Sequence, residues 1–465
     1  MNSKLQTRHF TTLALAVSLV LGGCAIPQPP DQAELQKRAL GQVEMPAGWK
    51  QAKTAGEFDR EALGFTLPAE LQQLIRDAQA NNPDLQLAAT RVEQAHSATK
   101  AAGAALLPTL GIGAQAGDSA VPSSTLALNG LALVANWELD VWGKNRSAQA
   151  ASNERAISAE LDALYARQSI AAAVVKAWLA AVEARGQIAL AQAMVGLADR
   201  QLGLVQVGKR VGRNAQQDVV MAQIALRNYR AQLIQSQQAL NAAQRALDIL
   251  VGRYPAADAE VASRLPVLNQ PIPAGLPSAL AERRPDLRAA EARFRAAFYD
   301  VEVAKKAKLP SISLMAGFGV VDNNLLVLQE DLSNPLWGGT ARVLAPLFMG
   351  GALDAQVEVK TAKQQEATIA YAKAMLNALN EIEGGLYADQ KLEERQTLLQ
   401  AVVADQQQLV DLQRVQLKVG KSDQYQLNQQ QLALATSRMN LLRVENERLI
   451  QRVNLHLSLG GVYRL

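Results

Sequence analysis

Cysteine and histidine are almost absent from this sequence, with one Cys and three His in 465 residues. An internal disulfide is excluded, and too few ligands remain for a zinc site of ordinary spacing. Aromatic residues are scarce at 4%, so the 49% hydrophobic fraction is mostly Ala, Leu and Val, a mix suited to long helices. Charge is thin too: 19% of residues with a net +4 give no basic footprint for nucleic acid. No Ser-His-Asp order, Walker sequence or dinucleotide fingerprint occurs, so no catalysis is expected. Proline is missing between Pro122 and Pro255 and again after Pro346, which signals long uninterrupted helices. Beyond Cys24 no apolar run reaches the ~18 residues of a spanning helix, so any membrane crossing must be by strands.

What is present begins with an export address. Lys4 and Arg8 precede an apolar run from Phe10 to Leu21, followed by Gly22, Gly23 and Cys24. This pattern predicts a lipoprotein signal over residues 1–23, cut so that the Cys24 thiol is diacylated. That covalent lipid is the only non-protein group expected; no cofactor or metal is. Ala25 stands where an Asp would favour inner-membrane retention, so the outer membrane of a Gram-negative envelope is the expected address. Residues 24–66, with Pro27, Pro29, Pro30 and Pro46, read as an extended segment.

The chain then repeats itself. Pro83, Asp84, Leu85, Arg91, Leu107 and Pro108 recur as Pro285, Asp286, Leu287, Arg293, Leu309 and Pro310, all 202 positions on. Val211-Gly212 and Gly252 recur as Val419-Gly420 and Gly460, 208 positions on. Two tandem copies, 67–252 and 278–465, are thus joined by a Pro-rich linker at 253–277. Each copy reads as a helix (83–107, 285–309), a β-hairpin (109–142, 311–349), a long helix (144–211, 351–419) and a second helix (214–252, 422–459). The hairpin arms alternate: Leu110, Ile112, Ala114; Leu131, Leu133, Trp137; Ile312, Leu314, Phe318; Trp337, Ala341, Val343.

Heptad spacing at Val219, Leu226, Leu233, Leu240 and Leu247 predicts coiled-coil packing of the second helix back on the long one. The other copy keeps it at Leu427, Leu434, Leu441 and Leu455, broken once at Arg448. A long helix of about 67 residues spans roughly 100 Å, and the two shorter ones end to end span about 95 Å. The expected form is therefore a helical rod with strands at one end and the Gly turns at the other. Four strands cannot sit in lipid with open edges. Three copies would close them into a barrel of twelve, an even number in the known range.

The LGGC of residues 21–24, the paired NPDL and RRPDLRAAE, the WELDVWGK of 137–144 and the VGR and VGK turns resemble the TolC-type outer membrane factor family, in particular its lipidated OprM-like branch. The similarity covers essentially the whole mature chain. It implies a mainly α fold with a membrane β-barrel, a homotrimer, and a 12-stranded barrel on a 12-helix periplasmic tunnel. It also implies partners: a periplasmic adaptor protein, an inner-membrane resistance-nodulation-division (RND) transporter and outer-membrane lipid.

Candidate working residues lie at the Gly turns. The resemblance implies an adaptor-docking role for Val211, Gly212, Val419 and Gly420, and a periplasmic gate built from acids and ion pairs just beyond them. Asp218 holds the acidic position in one copy, whereas Gln426 replaces it in the other, with Asp423 as a substitute and Arg210, Arg213 and Lys421 as nearby cations. Two readings stand for Asp218: a ring that attracts cations, or a residue favoured by the helix dipole. Trp137, Trp142 and Trp337 read either as membrane-interface aromatics or as core beneath the helices. His96 and His456 read as structural, without partner acids at ligand spacing. The leading function is a passive exit duct for small-molecule efflux. An exit duct for type I protein secretion and a trimeric envelope spacer are the alternatives.

Overall fold

The computed structural model describes residues 26–41, 43, 45–52, 58–61, 63–115, 129–268, 275, 277–322 and 336–463. The expected signal, Cys24 and the hairpin loops at 116–128 and 323–335 lie outside the described residues. The chain forms two compact units, each drawn from both repeats. One comprises Met1–Val43, Thr90–Leu161 and Arg288–Lys373; the other comprises Glu44–Ala89, Asp162–Leu287 and Ala374–Leu465.

The first unit holds a single antiparallel sheet in the order β1 (Thr109–Gln115), β2 (Asn129–Leu139), β3 (Ser311–Asp322), β4 (Leu336–Leu344). The two hairpins join through β2 and β3, where Leu133 faces Phe318 and Trp137 faces Leu314. Ile112 faces Leu133 on one side, and Phe318 faces Trp337 on the other, so one row of large apolar side chains crosses all four strands. The period of two makes that face predominantly apolar, while the reverse mixes glycines and polar residues with Ala132, Val134 and Met315.

Below the strands the WELDVWGK segment works as a helix entry. Asp140 accepts the backbone N–H groups of Asn145 and Arg146, both at 2.9 Å, and so caps α4 (Lys144–Arg210). Trp142 Nε1 donates to the Pro310 carbonyl at 2.7 Å, tying the entry of one repeat to the strand start of the other. The first-unit parts of α3 (Pro83–Ala104) and α7 (Pro285–Lys306) pack here with those of α4 and α8 (Ala352–Lys418). Asp300 of α7 takes Arg155 of α4 at 2.6 Å and Lys360 of α8 at 3.3 Å. Burial lifts the Glu154 pKa above the usual carboxylate value although Arg295 lies 3.2 Å away. Both α3 and α7 stop three residues before the expected 107 and 309. Their last turns tighten, Leu107 N donating to Ala104 and Leu309 N to Lys306, and the residue before a proline avoids the helical region.

The N-terminal segment corrects the expectation of an extended lead-in. It contains α1 (Gln32–Leu40), capped by Asp31 and burying Leu35 and Leu40. In the second unit Trp49, Phe58 and Phe65 are buried, and the N–H groups of Lys50 and Gln51 donate to the Glu383 carboxylate. These anchors are single apolar residues in a polar, Pro-rich context, so no period revealed them. A further helix, α2 (Ala69–Asn81), precedes α3.

The second unit is built around α4 and α8, with α5 (Gln216–Leu250), the short α6 (Leu280–Arg283) and α9 (Gln424–Ser458). Its core gathers Ile75, Val175, Trp178, Leu179, Leu247 and Val453, and Trp178 Nε1 donates to Glu70 at 3.2 Å. The heptad residues Val219, Leu226, Leu247, Leu427, Leu434 and Leu455 are buried. The heptad break at Arg448 is filled by polar bonds to Glu393 at 2.7 Å and Gln396 at 2.9 Å.

The duplication is visible in atomic detail where the shorter helices meet end to end. Asn82 Nδ2 donates to the Leu250 carbonyl at 2.8 Å, and its Oδ1 accepts Asp84 N–H at the start of α3. In the other repeat Arg284 Nη1 donates to the Ser458 carbonyl at 3.2 Å. Gly252 lies against Asn81 and Gly460 against Arg283 in the same way. Arg284, only 3% exposed, also pairs with Asp286 at 2.7 Å and Glu381 at 2.7 Å. Burial would depress its pKa, but the bonds and charges of those two carboxylates outweigh it and leave the guanidinium above its ordinary value.

Candidate functional site

The Gly turns join α4 to α5 and α8 to α9. Gly212 has φ +77° and Gly420 has φ +72°, the left-handed conformation that ends a helix most easily with glycine. Arg213 N donates to Gly208 at 2.7 Å and Lys421 N to Gln416 at 2.9 Å, the bond pattern of a Schellman cap. Behind each turn a small apolar cluster locks the helix pair: Val205 with Val219 and Ala222, and Val410 with Leu427 and Leu434. The turns themselves face outward, with Val211 64% and Val419 62% exposed. Met221, Ile224 and Val415 are exposed too, an apolar set that the sequence reading missed. Only their departure from the heptad could have signalled it.

The acids at the turns cap helices by complementary means. Asp218, the third residue of α5, accepts the N–H of Ala215 at 2.9 Å and the amide of Asn214 at 3.2 Å. Asp423, the residue before α9, accepts the N–H of Gln426 at 2.8 Å. Each repeat thus retains one half of a capping box, the later acid in the first and the earlier acid in the second. Gln426 accepts from Ser422 at 2.8 Å and from Gln413 at 3.1 Å. Lys209 bonds Gln216 across the first turn. Arg210, Arg213 and Lys421 are exposed and form no ion pair among the described residues. The tip is therefore cationic at its surface, with its carboxylates turned back to the backbone.

The tryptophans separate. Trp137 on β2 donates to the Leu106 carbonyl at 3.0 Å, Trp337 on β4 is 84% exposed, and Trp142 sits in the helix entry described above. Neither Trp137 nor Trp337 is core. Of the histidines, His456 is buried against Phe58 and Tyr463. His96 has an acidic neighbour after all, with Nε2 2.8 Å from Glu160 of α4, a helix-to-helix pairing that sequence spacing could not display.

The model of the outer membrane efflux protein family matches residues 74–253 and 276–461. The chain belongs to that family. The outer membrane efflux proteins it resembles match it nearly end to end. The pyoverdine export outer membrane protein OpmQ of Pseudomonas putida is 28% identical, covering 98% of this chain and 97% of that one. Outer membrane protein OprJ of Pseudomonas aeruginosa is 27% identical, over 97% of this chain and 96% of that one. Among solved structures, the outer-membrane channel OprN superposes with TM-score 0.82 at 22% identity, over 94% of this chain and 99% of that one. The Neisseria gonorrhoeae MtrE channel gives 0.81 at 22% identity, over 94% and 98%. The two matched segments of the family model correspond to the two repeats. The expected family, the mainly helical fold with its antiparallel sheet, and the efflux role therefore stand.

Proposed function

We propose that this outer membrane efflux protein is a passive, non-catalytic exit duct. It works as a homotrimer, takes small molecules from an inner-membrane RND transporter through a periplasmic adaptor, and is held to outer-membrane lipid by acyl chains on Cys24. The sheet carries the reading: one face is predominantly apolar across four strands, and β1 and β4 each pair on one side only among the described residues. Such a sheet is stable in lipid once copies of the chain close it. Val211, Gly212, Val419 and Gly420 dock the adaptor, and the pump supplies the cargo. Cells lacking this protein and other ducts should retain dyes, antibiotics or metal ions, with complementation restoring export. Normal retention together with a missing exported protein would instead identify type I secretion, and no change in either would leave a spacer.

The gate reading of Asp218 has its own test, because cap and charge are separable. Asp218→Asn keeps an acceptor for the Ala215 N–H, whereas Asp218→Ala removes acceptor and charge together. Asn should lower cation preference in bilayer recordings and leave thermal stability unchanged, while Ala should also cost about 1 kcal/mol of stability. An unchanged reversal potential in Asp218→Asn leaves that residue a helix cap and nothing more.

A further inference from the structure

The reverse face of the sheet is not uniform. Toward the strand ends remote from the helices Gly111, Gly113, Gly317, Gly319 and Gly338 flank Ala132 and Val134. Nearer the helices, register aligns Glu138 with Ser313 and Ser313 with Arg342 in one row across β2, β3 and β4. All three alternate with apolar-face residues, so they share the reverse face. Glu138 is already engaged, its Oε1 2.5 Å from Lys144 Nζ. Arg342 is exposed and makes no ion pair among the described residues. It is also the only Lys or Arg on any of the four strands. With Glu138 compensated by Lys144, the row carries a net positive charge.

We propose that Arg342 is a specificity-determining residue of the duct, forming with its symmetry copies a cationic ring on the inner wall that attracts carboxylate, phosphate or sulfonate groups of passing solutes. The inference rests on the duct reading above, in which the apolar face meets lipid and the reverse face meets water. Ser313, one strand away at about 5 Å, is the natural reporter. The next row on that face is Thr109, Asn136, Met315 and Thr340, and glycine predominates only in the row beyond it, at Gly111, Gly317 and Gly338 beside Val134.

The test places a cysteine at position 313 and measures reaction with an anionic sulfonate thiosulfonate and a cationic trimethylammonium thiosulfonate in outer-membrane preparations. The unsubstituted chain, whose only cysteine is Cys24, sets the background. With Arg342 present the anionic reagent should be favoured, and Arg342→Gln in the Ser313→Cys protein should lower the anionic-to-cationic rate ratio about three- to tenfold. Added salt should shrink the difference. An equal ratio with and without Arg342 overturns the ring while leaving the duct intact. An unreactive Ser313→Cys beside a reactive Leu314→Cys overturns the duct reading itself, because the wrong face would then be wet. Heat-resistant trimer on electrophoresis, measured on every variant, shows that each compared protein is assembled.

Discussion

Replacing Gly252 or Gly460 with alanine lowers stability by about 2–5 kcal/mol, whereas the same change at Gly212 or Gly420 costs about 1–2 kcal/mol. All four glycines end helices with positive φ: +73° and +79° in the first pair, +77° and +72° in the second. The conformational strain of a side chain is therefore common to all four. What differs is the space around them. A Cβ on Gly252 would stand 2.6 Å from the Asn81 carbonyl oxygen, and one on Gly460 2.9 Å from that of Arg283. The obstacle is backbone, fixed by the adjoining helix, and cannot rotate aside. At Gly212 and Gly420 a Cβ meets nothing within 4 Å. Thermal inactivation of the assembled protein should rank the four variants in two pairs. Equal losses in all four would mean that the end-to-end helix joints yield easily and do not constrain the fold.

Those joints also show what sequence could and could not disclose. The long helices were legible because proline is absent from them, and the duplication because Pro83, Pro108, Gly212 and Gly252 find their copies at fixed offsets. Strands were legible from alternation, since a sheet with one predominantly apolar face imposes a period of two. The partnership of β2 with β3 was not, because it joins two repeats and leaves no local signal. Nor was α1, whose nine residues are too few to declare a helix without tertiary contacts. At the turns, the family resemblance singled out the acids but could not tell a carboxylate aimed at a pore from one aimed at a backbone N–H. The bond from Ala215 to Asp218 demonstrates capping, yet a capping carboxylate still projects its field. Arg284 was hidden most completely, because an arginine pair before Pro-Asp reads as surface charge.

Arg284→Met should destabilise the protein by about 3–5 kcal/mol, although methionine is apolar and of similar length. The guanidinium spreads four bonds over three partners: two to Asp286 at 2.7 and 3.0 Å, one to Glu381 at 2.7 Å and one to the Ser458 carbonyl at 3.2 Å. Removing it leaves a helix-end carbonyl without this donor and two carboxylates without their cation. Lysine cannot substitute, since one ammonium cannot form the bidentate pair with Asp286 while reaching Glu381. Asn82, also 3% exposed, holds the equivalent joint with neutral bonds. Asn82→Ala should therefore cost less, about 1–3 kcal/mol. The comparison sets an ionic joint against a neutral one within one molecule, because the two joints connect equivalent helix ends in the two repeats. Adding Asp286→Asn and Glu381→Gln to Arg284→Met should recover part of the loss, since the uncompensated charges are then gone. If Arg284→Met is as mild as Asn82→Ala, the carboxylates are solvated well enough without the guanidinium. The ionic joint would then contribute no more than its neutral copy.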